Sequence, residues 1–192
     1  MGTLFPVITP SAGLWSRRSA TGSDLLAIAA LGTAARHAAT CQDMREAIEE
    51  IAGPLWAPTL DSLQSVIERL LERGQMRRTS DVPGLAAQHV TTHSGRERLC
   101  RLLALDTAHP SCLLAQVGTR LGMAFLDLIP QPRRRGYIES SLYHCELQVR
   151  EWRRRSALCR AQGDLGRRWL AHEGQRLQQE QRLLRDMLAE LP

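Results

Sequence analysis

Within residues 59–80, TLDSLQSVIERLLERGQMRRTS, the spacing of the apolar residues changes period at a single glycine. Before it, Leu63, Val66, Ile67, Leu70 and Leu71 recur every three or four residues, which gathers side chains on one side of a helix. Gly74 follows, a residue suited to the left-handed backbone that ends helices. Beyond it, QMRRTS and LAAQHVTT are strand candidates joined by DVPG, with proline and glycine at the second and fourth positions of a β-turn. A helix that runs straight into a hairpin leaves few folds open. Its apolar side must be covered by other helices, and Ser62, Gln64, Ser65, Arg69 and Arg73 are left on the other side.

The flanking segments supply the cover. Ser23 is the expected N-cap of a first helix, running through DLLAIAAL to Gly32. A second spans Cys41 to Ala52, with Met44, Ala47, Ile48 and Ile51 on one face, and GPLWAP then breaks the chain. After the hairpin a fourth helix starts near His93 and carries Leu99, Leu102 and Leu103. The order helix, helix, helix, hairpin, helix predicts a winged helix-turn-helix over residues 23–107, with the hairpin as its wing. Residues 1–22, rich in glycine, proline and small polar residues, read as a flexible N-terminal arm.

The chain changes character after His109-Pro110. Residues 111–129 predict one more apolar helix, ended by IPQPRRRG, which places Arg133, Arg134 and Arg135 in a loop. Ile138, Leu142, Cys145, Val149, Trp152, Ser156 and Cys159 then alternate at spacings of four and three. RAQGDLG reads as a turn, and Leu170, Leu177, Leu184 and Leu191 recur every seven residues, with Trp169, Leu183, Met187 and Leu188 widening the stripe. Two heptad-patterned helices joined by a short turn predict an antiparallel hairpin over residues 108–192. Stripes this broad need a partner, and a second copy of the chain is the simplest one. Leu142, Val149, Trp152, Trp169, Leu170, Leu177, Leu184 and Leu191 are the candidate dimerisation residues. The expected class is mainly α.

Charge and chemistry narrow the function. The 192 residues carry a formal charge of +5, with no lysine among the basic residues, and a pI near 9.4 suggests an anionic partner. Residues 25–106 hold nine arginines against ten acids, and residues 107–192 hold fourteen against nine, so the excess lies in the C-terminal half. The triplets in QPRRRG and EWRRRS read as solvated surface, because consecutive helical residues fan around the axis. The five cysteines form no C-x-x-C pair and fit buried thiols in a reducing compartment. The six histidines show no metal-binding spacing. No nucleophile elbow, phosphate-cradling glycine loop or paired-acid constellation is present, so neither catalytic residues nor a cofactor is expected. No segment reaches the length of a membrane span. A cytoplasmic protein without enzymatic activity is the expectation.

Several short motifs, in order, resemble the PadR-like transcriptional regulators. They are the small apolar run LLAIAALG, the segment Trp56-Ala57-Pro58, SLQ at 62–64 with RLLERG at 69–74, and TTHSGRERL at 91–99. The tail WLAHEGQRLQQEQRLLRDMLAEL is similar to the dimerisation helix of the subgroup with an AphA-like C-terminal domain. The resemblance covers about residues 24–191. It departs at Gln64 and Gln42, where the family has tyrosine, and at GLAAQH, where the family's wing has Gly-Arg-Pro followed by basic residues.

The resemblance implies a homodimeric repressor that binds a pseudo-palindromic duplex operator and responds to a small aromatic effector. Ser62, Gln64, Ser65 and Arg69 are the candidate DNA-reading residues, since glutamine pairs with adenine and arginine with guanine or phosphate. Arg77 and Arg78, at the base of the wing, complete the set. Trp152 and Trp169 are candidates for lining an effector cavity. A different reading is a protein-interaction module that keeps the fold without strong DNA contact. Clustering of Arg36, Arg45, Arg69 and Arg73 on the third-helix face would argue for DNA, and their dispersal for the module.

Overall fold

The computed structural model describes residues 16–80, 86–106, 113–158 and 163–191. The DVPG turn, Cys112 and Cys159 lie outside the described residues. The chain divides into two compact units, Trp15–Gln131 and one containing the hairpin from Pro132 onward.

In the first unit, helices α1 (Gly22–Arg36), α2 (Cys41–Ala52) and α3 (Leu60–Glu72) lead into strands β2 (Met76–Ser80) and β3 (Gln88–Thr91), then α4 (His93–Leu103) and α5 (Leu113–Ala124). A short strand β1 (Ser16–Ser19) pairs in parallel with β4 (Leu105–Asp106). Residues 16–19, inside the expected arm, are therefore part of the head. Leu25, Leu31, Met44, Ile48, Leu63, Met76, Leu99, Leu102 and Leu121 are fully buried and form the core. The head also extends past residue 107, because α5 packs on α1 and α2.

Local chemistry sets the helix starts. Thr21 and Thr40 each cap a helix through a reciprocal box with the aspartate three residues on, Asp24 and Asp43. Thr59 caps α3 and Thr92 caps α4. The first helix thus begins before Ser23, with Thr21 in the role expected of Ser23. It also continues through Gly32 to Arg36. Gly32 is a packing position: a Cβ there would lie 2.6 Å from the Phe125 ring. Arg36 closes this contact by donating to Ala124 O at 2.8 Å and to Asp127 at 2.7 Å.

The second unit consists of α6 (Gln131–Leu158, nearly all within it) and α7 (Asp164–Glu190). They run antiparallel: Trp152 Nε1 donates to Leu170 O at 3.0 Å, Cys145 Sγ lies 3.5 Å from Leu177 O, and Gln181 reaches Glu146. Gly174 admits the Trp152 ring, which would lie 2.1 Å from a Cβ. Arg133, Arg134 and Arg135 are in the first turns of α6, not in a loop. Pro132 permits this because amides in a helix's first turn have no intrahelical acceptor to lose. Asp164–Gly166, expected in a turn, are likewise helical. Among the described residues no helix is long and apolar enough to cross a membrane.

Candidate nucleic-acid interface

The amphipathic pattern of α3 is realised at four of its five expected apolar positions, with Leu71 half-buried. Leu63, Val66, Ile67 and Leu70 are buried, whereas Ser62, Gln64, Ser65 and Arg69 are exposed. A Schellman motif closes the helix: Gly74 N donates to Leu71 O, Gln75 N donates to Leu70 O, and Gly74 has φ of 63°. Gln75 O then accepts from Thr92 N, and the Thr92 hydroxyl donates to Gly74 O at 2.7 Å. The end of α3 is thereby locked to the root of the wing. Gly95 makes the lock possible, since a Cβ there would sit 2.0 Å from Gln75 O.

The wing ladder pairs Met76 with Thr91, Arg77 with Val90 and Arg78 with His89, and it shifts register between Arg78 and Ser80. Pleating sends Arg77 and Arg78 to opposite faces, and both are exposed. His89 is buried and exchanges both backbone hydrogen bonds with Ala39, just ahead of the α2 cap. Its Nδ1 has no hydrogen-bond partner among the described residues. Burial pushes the imidazole pKa below its ordinary value. Arg78 adds to that shift, while the backbone contact with Ala39 opposes it.

The side chains on the exposed face of α3 are partly engaged. Ser62 Oγ lies 2.8 Å from Thr59 Oγ1, and Arg69 Nη2 donates to Ser23 Oγ at 3.0 Å. Gln64 Nε2 donates to the Glu68 carboxylate at 3.3 Å. Of the four arginines that separate the two readings, Arg36 is held by Asp127 and Arg45 by Glu49. Arg69 and Arg73 remain on α3 and make no ion pair among the described residues, and the same is true of Arg77 on the wing. The clustering expected for a DNA reader is therefore partial. Asp61, Glu68 and Glu72 are exposed on the same helix.

The candidate dimerisation residues separate into two groups. Val149, Leu177 and Leu184 are buried, and Trp152 is spent on Gly174 and Leu170 O within the hairpin. Leu142, Leu170 and Leu191 are half-buried, while Trp169 is 64% exposed. Leu165 and Leu183 are also open, at 80% and 59%; Leu183 belongs to the widened heptad stripe, and Leu165 lies outside it. Cys145 is a buried thiol whose pKa burial raises to about 11, with Glu180 and Glu146 adding to the shift.

A family model described as "Putative AphA-like transcriptional regulator" matches residues 16–189. The chain belongs to this family of AphA-like transcriptional regulators. The match spans both units, so the PadR-like resemblance read from short motifs extends through the wing and the hairpin. Among solved structures, the chain is similar to a crystal structure of Bacillus subtilis PadR in complex with operator DNA. That similarity has 14% identity and a TM-score of 0.41, covering 88% of this chain and 99% of the other. A crystal structure of the same Bacillus subtilis protein in complex with p-coumaric acid gives 14% identity and a TM-score of 0.39, covering 90% and 98%. No curated protein sequence matches the chain.

Sequence reasoning passed over the roles of four residues at this surface. Ser23 was assigned to the cap and instead meets Arg69. Thr92 and Gly95 tie the wing to α3. Glu68 was seen only as a charge, although its place four residues after Gln64 signals a side-chain pair on one helix face.

Proposed function

We propose that the chain is a homodimeric DNA-binding repressor in which α3 enters the major groove. Ser62, Gln64, Ser65 and Arg69 face the base edges and nearby backbone, and one of Arg77 and Arg78, which point to opposite faces of the wing, approaches the flanking phosphates. One observation carries the reading. The buried side of α3 fixes its four candidate side chains outward, and Arg69 among them, like nearby Arg73 and Arg77, makes no ion pair among the described residues. Few phosphate contacts per head imply modest affinity with a marked salt dependence.

Dimerisation through the hairpins is part of the proposal. Exposed Leu165, Trp169 and Leu183, beside half-buried Leu142, Leu170 and Leu191, supply apolar surface for a second copy to cover. Val149, Trp152, Leu177 and Leu184 serve the same end indirectly by holding the two helices together. A small aromatic effector, the kind of ligand the family resemblance implies, would act by shifting the population between dimers of different head separation.

Footprinting on the DNA upstream of the protein's own gene, beside anisotropy on random duplex of equal length, tests the reading. A repressor dimer protects two half-sites about one turn, ~10 base pairs, apart or a multiple of that. Equal and feeble binding to both DNAs would favour the second reading, a protein-interaction module. The observations on its side are the capture of Arg36 and Arg45 by carboxylates off α3 and the three acids exposed on α3 itself.

A further inference from the structure

Two glutamines stand on exposed helix faces of the head, and each is hydrogen bonded to a glutamate four residues on. Gln42 Nε2 donates to Glu46 at 2.7 Å, and Arg45 Nε donates to Gln42 Oε1 at 3.2 Å, so both ends of that amide are engaged. Gln64 differs. Its Nε2 donates to Glu68 at 3.3 Å, while its Oε1 and second Nε2 hydrogen meet no partner among the described residues. An ionised carboxylate accepts hydrogen bonds and donates none. The Glu68 contact therefore fixes which end of the Gln64 amide is which, turning Nε2 toward Glu68 and Oε1 away.

An amide held in that sense keeps one donor and one acceptor side by side, the complement of adenine's N7 acceptor and N6 donor in the major groove. Guanine offers two acceptors there, N7 and O6, and would leave Gln64 Oε1 facing another oxygen. Glu68 also sets an uncompensated carboxylate on the surface that meets DNA. That charge repels phosphates on every sequence and so weakens non-specific association.

We infer that Glu68 is a specificity-determining residue of this interface: it positions the Gln64 amide to read adenine and, through its charge, disfavours non-cognate DNA. The inference rests on the DNA-reading role proposed above. Glu68 acts through Gln64 and so is a positioning residue. Its role also gives the acidic character of α3 a use, as a source of discrimination at the expense of affinity.

The test begins with a randomised duplex pool enriched on the wild-type protein. Anisotropy is then measured on the enriched site, on its single-base variants and on random duplex, with the wild type, Gln64→Ala, Glu68→Ala, Glu68→Gln and the Gln64→Ala/Glu68→Ala double variant. The base pair at which Gln64→Ala loses preference is expected to contain adenine. At that pair Glu68→Ala reduces the preference about five-fold or more. Both Glu68 variants tighten binding to random duplex a few-fold, a change opposite in sign to any loss of folding. In the Gln64→Ala background, removing Glu68 causes no further loss of preference. A site that enriches but keeps its full adenine preference in Glu68→Ala overturns the inference and leaves the DNA-reading role standing. Preference lost equally with and without Gln64 overturns the positioning role. A pool that enriches no sequence over random overturns both.

Discussion

The C-terminal half of the chain holds the surplus charge, yet the head, with a small net negative balance over residues 25–106, carries the face proposed to read DNA. The difference lies in what each arginine faces. In the hairpin, Arg135 pairs with Glu139, Arg154 and Arg155 with Glu151, Arg167 with Asp164, Arg176 with Glu173 and Glu180, and Arg185 with Glu146. These pairings use as many acids as arginines, so the hairpin's excess stays on Arg133, Arg150, Arg153, Arg168 and Arg182, which make no ion pair among the described residues and are spread along its two helices. In the head, Arg69, Arg73 and Arg77 face no described carboxylate, while Arg36, Arg45 and Arg98 are paired at other places in the fold. Net charge by segment is therefore a poor guide to where an anion binds. The surface on which unpaired arginines gather is the better one.

The two units also differ in how they are held together, and substitutions can probe that. The largest effect is expected at Gly95, where a new side chain meets a backbone carbonyl that cannot turn away. Gly95→Val should cost about 3 kcal/mol or more and uncouple the wing from α3, read as a lower denaturation midpoint of the head. At Gly174 the obstacle is the Trp152 ring, a side chain with some freedom to move. Gly174→Ala should cost about 1–3 kcal/mol, with a shift in tryptophan emission as the ring leaves its seat. Comparable losses at the two glycines would break the contrast between a rigid and a yielding contact.

A third prediction concerns pH. His89 has a folded-state pKa below its unfolded value of about 6.5. The unfolded chain therefore binds the extra proton first as pH falls. Stability of the head should be fully present above the unfolded value and should decline as pH drops through it toward the depressed folded one. The decline should be weaker in His89→Leu, measured by thermal melts between pH 5 and 8. The smallest effect is expected on the hairpin surface. Glu151→Ala removes the partner of Arg154 and Arg155 and should leave the thermal midpoint of the hairpin essentially unchanged, since exposed pairs gain little over water. A clear drop would mean that the hairpin's charge network is structural.

Elements fixed by near neighbours were legible in the sequence. The apolar face of α3, its stop at Gly74 and the span of α2 follow from residues within a few positions of each other. Features that depend on distant partners were not. Gly32 reads as a helix end until Phe125 is seen against it, and Ser23 reads as a cap until Arg69 is seen to reach it. Arg133–Arg135 read as loop because two prolines precede them, although the second is tolerated in a helix's first turn. The Thr21–Asp24 box lies within four residues and was available to reading, but Ser23 beside it is an equally good capping residue type. The polar face of α3 was legible as a face. The direction in which Glu68 turns the Gln64 amide was not, because that is set by a hydrogen bond and not by spacing alone.

The central claim, that the head and not the more basic hairpin grips DNA, is tested most directly by the salt dependence of binding. Anisotropy titrations on one duplex across a range of salt would compare the wild type with Arg69→Ala/Arg77→Ala in the head and Arg153→Ala/Arg168→Ala in the hairpin. The account predicts that the head variant flattens the slope of log affinity against log salt by up to about 2, while the hairpin variant leaves it unchanged. A flattened slope in the hairpin variant with an unaltered head variant would contradict it.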